Sequence, residues 1–171
     1  MGEQSKELLG GCACDHIRYK TTSNPFIVHC CHCRQCQRLS GAAFAINALF
    51  EASHVKIQQG DPEIITVNTP SGKGQKISRC PKCKVAVWSN YYMSGIQDLI
   101  RFVRVGTLDN PDHLPPDVHI YTASKQPWIQ LPEDSLAVEA FYDFETTWSP
   151  QNLERRVALL ALAEEERSRT K

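Results

Sequence analysis

Cys31-His32-Cys33-Arg34-Gln35-Cys36 puts three thiols within six residues, and two pairs flank it, Cys12-Ala13-Cys14 and Cys80-Pro81-Lys82-Cys83. Seven of the eight cysteines therefore fall into chelating groups. Seven is an unsuitable number for disulfides. It suits two unlike tetrahedral zinc sites, one closed by four thiolates and one left with an open position by three.

Each group has its own geometry. Residues i and i+2 of a strand face the same side, so Cys12 and Cys14 present their sulfurs together. The Cys80-x-x-Cys83 spacing is that of a zinc knuckle, a turn that curls two thiolates around one ion. Combined, the two pairs would make a structural site that ties the N-terminal strand to the middle of the chain and contributes folding energy outright. Cys31, Cys33 and Cys36 fit around one ion from a single local segment. The spacing allows either an open fourth position or a site closed by a further residue. His32, between two ligands, should point away from them to a supporting or surface position, and Cys30 should face the other way as a small buried apolar residue. A ferredoxin-type cluster has a different spacing. A thioredoxin-like role for Cys33-x-x-Cys36 needs a βαβ context that is missing.

With 171 residues and 42% apolar composition, the chain is long enough for one domain with a sizeable core. Lys+Arg and Asp+Glu balance at 19 each, so no long-range attraction to nucleic acid or membrane is expected. No apolar run approaches the roughly 20 residues that cross a bilayer. Met1–Lys6 contains no signal-like apolar stretch. Together with metal-type cysteine spacing, this predicts a cytoplasmic protein and leaves the nucleus open.

Around the claws, β-branched and aromatic runs predict strands at Ile17–Thr21, Phe26–His29, Phe44–Leu49, Val55–Gln58, Ile64–Val67, Lys76–Arg79, Val85–Ser89, Leu99–Val105 and Val118–Tyr121. Turns fall at Asn24-Pro25, Gly60-Asp61-Pro62, Pro70–Gly74 and Asn110-Pro111-Asp112. A C-terminal helix starts with Ser149 as N-cap and Pro150 at its first position, with Leu153, Val157, Leu160 and Ala161 as its apolar face. Glu164-Glu165-Glu166 oppose the helix dipole, which predicts a frayed tail. The domain plan is a flexible segment over 1–9, a zinc-binding β domain over 10–148 and the helix over 149–171.

Gly11-Cys12-Ala13-Cys14, then Cys31-His32-Cys33-Arg34-Gln35-Cys36-Gln37-Arg38-Leu39-Ser40-Gly41-Ala42, then Cys80-Pro81-Lys82-Cys83 resembles the glutathione-dependent formaldehyde-activating enzyme family, to which centromere protein V also belongs. Val105-Gly106-Thr107-Leu108-Asp109, the Pro116–Tyr121 segment, Lys125 and Trp128 extend the likeness. The resemblance covers about Gly10 to Trp128 and implies a mainly β, β-tent zinc-binding fold of short strands. It implies two Zn2+ per chain: Cys12, Cys14, Cys80 and Cys83 for the structural ion, Cys31, Cys33 and Cys36 for the catalytic one. Two positions depart from the family pattern. Asp15 and Lys84 stand where Gly follows a claw, a place that favours left-handed backbone.

The activity implied is that of a carbon–sulfur lyase, an S-(hydroxymethyl)glutathione synthase that condenses glutathione, or another small thiol, with formaldehyde or a related carbonyl. Coordination would lower the thiol's pKa, and its sulfur would attack the carbonyl carbon. Glutathione carries two carboxylates, so Arg34, Arg38 and Lys125 are candidate substrate contacts, with Arg104 a further cation near the motifs. Trp128 is a candidate stacking or rim residue, and His32 and Tyr121 are candidate proton donors. The alternative is a zinc-stabilised binding or scaffold module of the centromere protein V type without turnover. A long basic tail, of the kind that would hold nucleic acid, is absent from this sequence.

Overall fold

The predicted strands assemble into two sheets in a computed structural model that describes residues 7–91 and 95–169. β1 (Leu8–Gly11), β2 (Arg18–Thr21) and β5 (Val55–Gln59) form an antiparallel sheet in the order β1-β2-β5. The second sheet holds β3 (Ile27–Cys31), β4 (Ala45–Glu51), β6 (Glu63–Val67), β7 (Gln75–Arg79), β8 (Ala86–Tyr91), β9 (Ile100–Arg104), β10 (Val118–Ile120) and β11 (Leu136–Ala137). Its order is β11-β10-β3-β4-β9-β8-β7-β6, and only the pairings of β10 with β3 and β11 are parallel. The fold is mainly β, as the sequence predicts. β1 begins at Leu8, inside the stretch expected to be flexible, because Leu8 packs into the core and the strand pairs with β2.

Side chains that alternate along the strands feed two separate cores. On one face of the large sheet, Val28, Ala48, Phe50, Val87, Trp88 and Val103 pack with Tyr19 of the small sheet, and Cys12 and Cys80 belong to this cluster. On the other face, Ile27, Leu49, Ile100, Val118 and Ile120 pack with Phe26, Tyr142, Trp148 and Leu159, and Cys31 belongs there. β3 is buried at every position, since it lies between β4 and β10 and is covered on both sides. The two cysteine groups thus attach to opposite faces of one sheet.

Among the described residues there are three α-helices besides several short 3-10 turns. α1 (Arg34–Ser40), α2 (Phe144–Thr147) and α3 (Pro150–Arg169) follow in sequence. As expected, Ser149 caps α3, its Oγ accepting the Asn152 N–H at 3.2 Å. The packed face differs in part from the expected one: Leu153 and Leu160 pack against the second core as expected, but Val157 is 64% exposed and Ala161 is also exposed, whereas Leu159 and Ala163 are buried. The reason is that polar anchors set the helix's rotation. Arg155 donates to both Glu51 oxygens (2.7 and 2.5 Å) and to the Asn24 carbonyl, and it lies 4.1 Å over the Phe26 ring. Asn152 Nδ2 donates to the Phe26 carbonyl at 2.8 Å. The helix continues through Glu164–Glu166 to Arg169, with Arg167 and Arg169 favourably placed in the last turn.

Arg155→Ala is expected to cost about 2–4 kcal/mol, near the lower end for a broken buried pair, because it leaves the Glu51 carboxylate largely buried without its cation. Chemical denaturation should show a lower midpoint with an unchanged slope; a loss under 1 kcal/mol would refute the clamp.

His29 gives the second core a built-in acid sensitivity. It is 2% exposed, its Nε2 lies 2.7 Å from the Tyr142 hydroxyl, and burial pushes its pKa down to about 3. An unfolded histidine takes up its proton near pH 6.5. Between the two values the unfolded chain binds more protons, so this contribution is complete above pH 6.5 and is lost as pH falls. The expected slope is about 1.4 kcal/mol per pH unit. Stability measured from pH 6.5 to 4.5 should fall more steeply for the wild type than for His29→Gln, by about that amount.

Candidate metal centres and the cleft over α1

The four-cysteine group is built from two loops of the same local design. Cys12 follows β1, and its N–H donates to the Ile17 carbonyl (3.0 Å); Cys80 follows β7, and its N–H donates to the Val85 carbonyl (2.9 Å). In each loop an amide N–H points at the first sulfur, Ile17 at Cys12 Sγ (3.3 Å) and Lys82 at Cys80 Sγ (3.4 Å). Each loop leaves its claw through left-handed backbone, at Asp15 (φ 55°) and Lys84 (φ 64°), the two positions where the sequence lacks the favoured glycine. The sulfurs of Cys12 and Cys14 are 3.6 Å apart, and those of Cys14 and Cys80 are 3.7 Å apart. Thiolates about 2.3 Å from a tetrahedral ion lie about 3.8 Å from one another, so the group fits a metal. Although burial opposes ionisation of Cys12, the Ile17 N–H and the neighbouring cysteine groups bring its pKa down to about 6.

The three-cysteine group spans a strand end and a helix start. β3 delivers Cys31, 6% exposed, and Cys33 is the N-cap of α1, its sulfur accepting the Cys36 N–H at 3.3 Å. The sequence did not predict α1, which ends at Gly41 in left-handed conformation (φ 66°). The three sulfurs lie within 4.8 Å of one another. Hydrogen bonds from the Cys31 and Cys36 thiols hold Cys33 far down as a thiolate, and the same pairing pushes Cys31 up. Arg104, fixed by the buried Asn47 Oδ1 at 2.5 Å, contributes positive charge toward Cys36. Tyr121 follows β10 with φ 57°, an uncommon conformation for a bulky residue. Burial and then the nearby cysteine sulfurs raise its hydroxyl pKa, so it stays protonated at neutral pH.

A cleft of about 650 Å³ opens over α1, with Arg34, Arg38, Gln37, Gln126 and Trp128 in its wall. Gln37 organises this wall. Its Nε2 donates to the His32 carbonyl (2.7 Å) and the Ser124 carbonyl (2.9 Å), while its Oε1 accepts from Arg34 (2.8 Å) and Gln126 (3.0 Å). Trp128 is 69% exposed at the rim. The Lys125 ammonium donates to the Ile129 carbonyl at 2.6 Å and is held against its own loop. Arg34 and Arg38 therefore share the cleft wall, and Lys125 does not belong to it. Sequence reasoning missed Gln37 and Asn47. Asn47, polar in the middle of the apolar run Ala45–Phe50, was the visible signal.

Residues 7–124 match the sequence profile described as glutathione-dependent formaldehyde-activating enzyme. The chain belongs to that family. Among solved structures, a Rhodobacter sphaeroides protein is similar to this formaldehyde-activating-enzyme relative at 18% identity and a TM-score of 0.45, covering 62% of this chain and 94% of its own. No curated protein matches it. Membership fits a glutathione-related function and a carbon–sulfur lyase in general terms, and both cysteine groups could hold metal. Among the described residues, no helix is long and apolar enough to cross a membrane.

Proposed function

We propose that this family member is a zinc-dependent carbon–sulfur lyase that condenses glutathione, or a related small thiol, with formaldehyde to the S-hydroxymethyl adduct. The observation that carries the reading is the Cys31–Cys33–Cys36 group: three sulfurs gathered at a strand end and a helix start, one ligand short of a closed tetrahedron. Zinc held there would supply a Lewis acid at which a thiol loses its proton at neutral pH.

The chain's own residues account for the rest. Arg34 and Arg38 would meet the substrate's carboxylates, with Arg34 oriented by Gln37 and Trp128 covering the rim. In the reaction the thiol sulfur bonds to the carbonyl carbon, the carbon–oxygen double bond becomes single, and the proton lost from sulfur is matched by one delivered to oxygen. Tyr121, kept neutral beside the sulfurs, carries a proton for that transfer. Cys12, Cys14, Cys80 and Cys83 would hold a second, structural zinc. The protein is proposed to work in the cytoplasm.

The test is exchange NMR on a glutathione–formaldehyde mixture, with substoichiometric protein of measured metal content. Faster interconversion of thiol and hydroxymethyl adduct is expected. An unchanged rate with both sites metallated would eliminate the glutathione–formaldehyde reaction and favour the non-catalytic binding module.

A further inference from the structure

The parallel pairing of β10 with β3 sets His119 directly beside Cys30. His32, two residues further along the chain than Cys30, turns to the same face, away from Cys31 and toward the first core. The result is a cluster distinct from both cysteine groups: Cys30 Sγ lies 3.5 Å from His32 Nε2, which lies 3.0 Å from His119 Nδ1. Cys30 is 1% exposed and His32 is fully buried, with the Phe44 ring edge-on at 5.4 Å, whereas His119 is half-buried. One sulfur and two imidazole nitrogens converge on one point that is open on the His119 side.

We infer that Cys30, His32 and His119 form an accessory site for a borderline-soft divalent cation of the zinc type. Thiolate and imidazole together select such ions over magnesium or calcium. At bond lengths of about 2.3 Å to sulfur and 2.05 Å to nitrogen, tetrahedral ligands sit about 3.6 Å apart for S···N and about 3.3 Å for N···N. The observed 3.5 and 3.0 Å are close to both values. His32 Nδ1 is buried without a partner, so nothing behind the ring prevents it from carrying the proton there and offering Nε2 as a lone pair. That missing support has a consequence. Loss of an outer partner typically weakens a metal site about 10–100-fold, so this site fills after the two thiolate groups and empties before them.

The competing arrangement is a metal-free hydrogen bond between the two imidazoles, which also suits 3.0 Å. The experiment is Co2+ titration of the purified, zinc-loaded full chain, with zinc content followed in parallel. One further equivalent of Co2+ is expected, with sulfur-to-cobalt charge-transfer absorption and no zinc displaced. Both His119→Ala and Cys30→Ser should delete that equivalent and its absorption while leaving zinc content and thiol exchange unchanged. Absence of the extra equivalent in the wild type, or its persistence in both variants, would overturn the site. The count is a difference between variants, so it stands or falls independently of turnover.

Discussion

Stripping metal from the Cys12–Cys14–Cys80–Cys83 site with a strong chelator is expected to unfold the protein in one cooperative step. Structural zinc supplies about 10–16 kcal/mol in small metal-folded units, whereas a whole domain is stable by only about 5–15 kcal/mol. Cys12 and Cys80 are 4% and 0% exposed and belong to the core cluster that contains Tyr19 and Trp88. Releasing the proposed ion would therefore leave four closely packed sulfurs without a cross-link at the edge of that core. Trp88, 2% exposed and edge-on to Tyr19 at 5.5 Å, reports the event. Its emission should shift to the red together with loss of the β-sheet circular dichroism. Cys80→Ser should reproduce the result without chelator, as insoluble or unfolded protein. A chelated protein that keeps its native spectrum would show that the site does not hold the fold together.

Cys33→Ser is expected to behave oppositely, losing the reaction and keeping the fold. Outer partners of a metal already cost 10–100-fold when removed, so a direct ligand should cost at least about 100-fold in catalysed thiol exchange. The fold survives for a local reason. Cys33 is the N-cap of α1, its sulfur accepts the Cys36 N–H, and serine is among the best residues for that role. Thermal unfolding should then change by less than about 1 kcal/mol, while metal content falls by one equivalent. Exchange that persists at the wild-type rate would place the chemistry away from this cluster.

The parts of the site legible in the sequence are those in which neighbours along the chain are neighbours in space. Cys31, Cys33 and Cys36 lie within six residues, and both claws announce themselves by spacing. The left-handed turns at Asp15 and Lys84 were readable only through the resemblance, whose pattern places glycine after each claw. Helix α1 was not legible. Its seven residues are nearly all polar, so apolar periodicity says nothing, and only Gly41 beyond its end marks it. The rotation of α3 escaped for a related reason: Arg155 and Asn152 fix it through Glu51 and Phe26, and apolar counting does not see cations. The meeting of His32 with His119, 87 residues apart, depends on the parallel pairing of β3 and β10. No local pattern encodes that pairing.

The distribution of the sulfurs also matters during biosynthesis. Six of the eight cysteines, Cys12 through Cys36, precede Cys80 by more than forty residues. A chain leaving the ribosome therefore offers metal the complete Cys31–Cys33–Cys36 set, with the Cys12–Cys14 pair close by, before the second claw has been made. At that stage an ion can be captured by the wrong combination of thiolates, and native ligation of the four-sulfur site must wait for β7 and its knuckle. Vectorial synthesis and refolding from denaturant thus start from different ligand sets. If the proposed ions hold the fold, metal supply during translation would help determine how much protein reaches its native state.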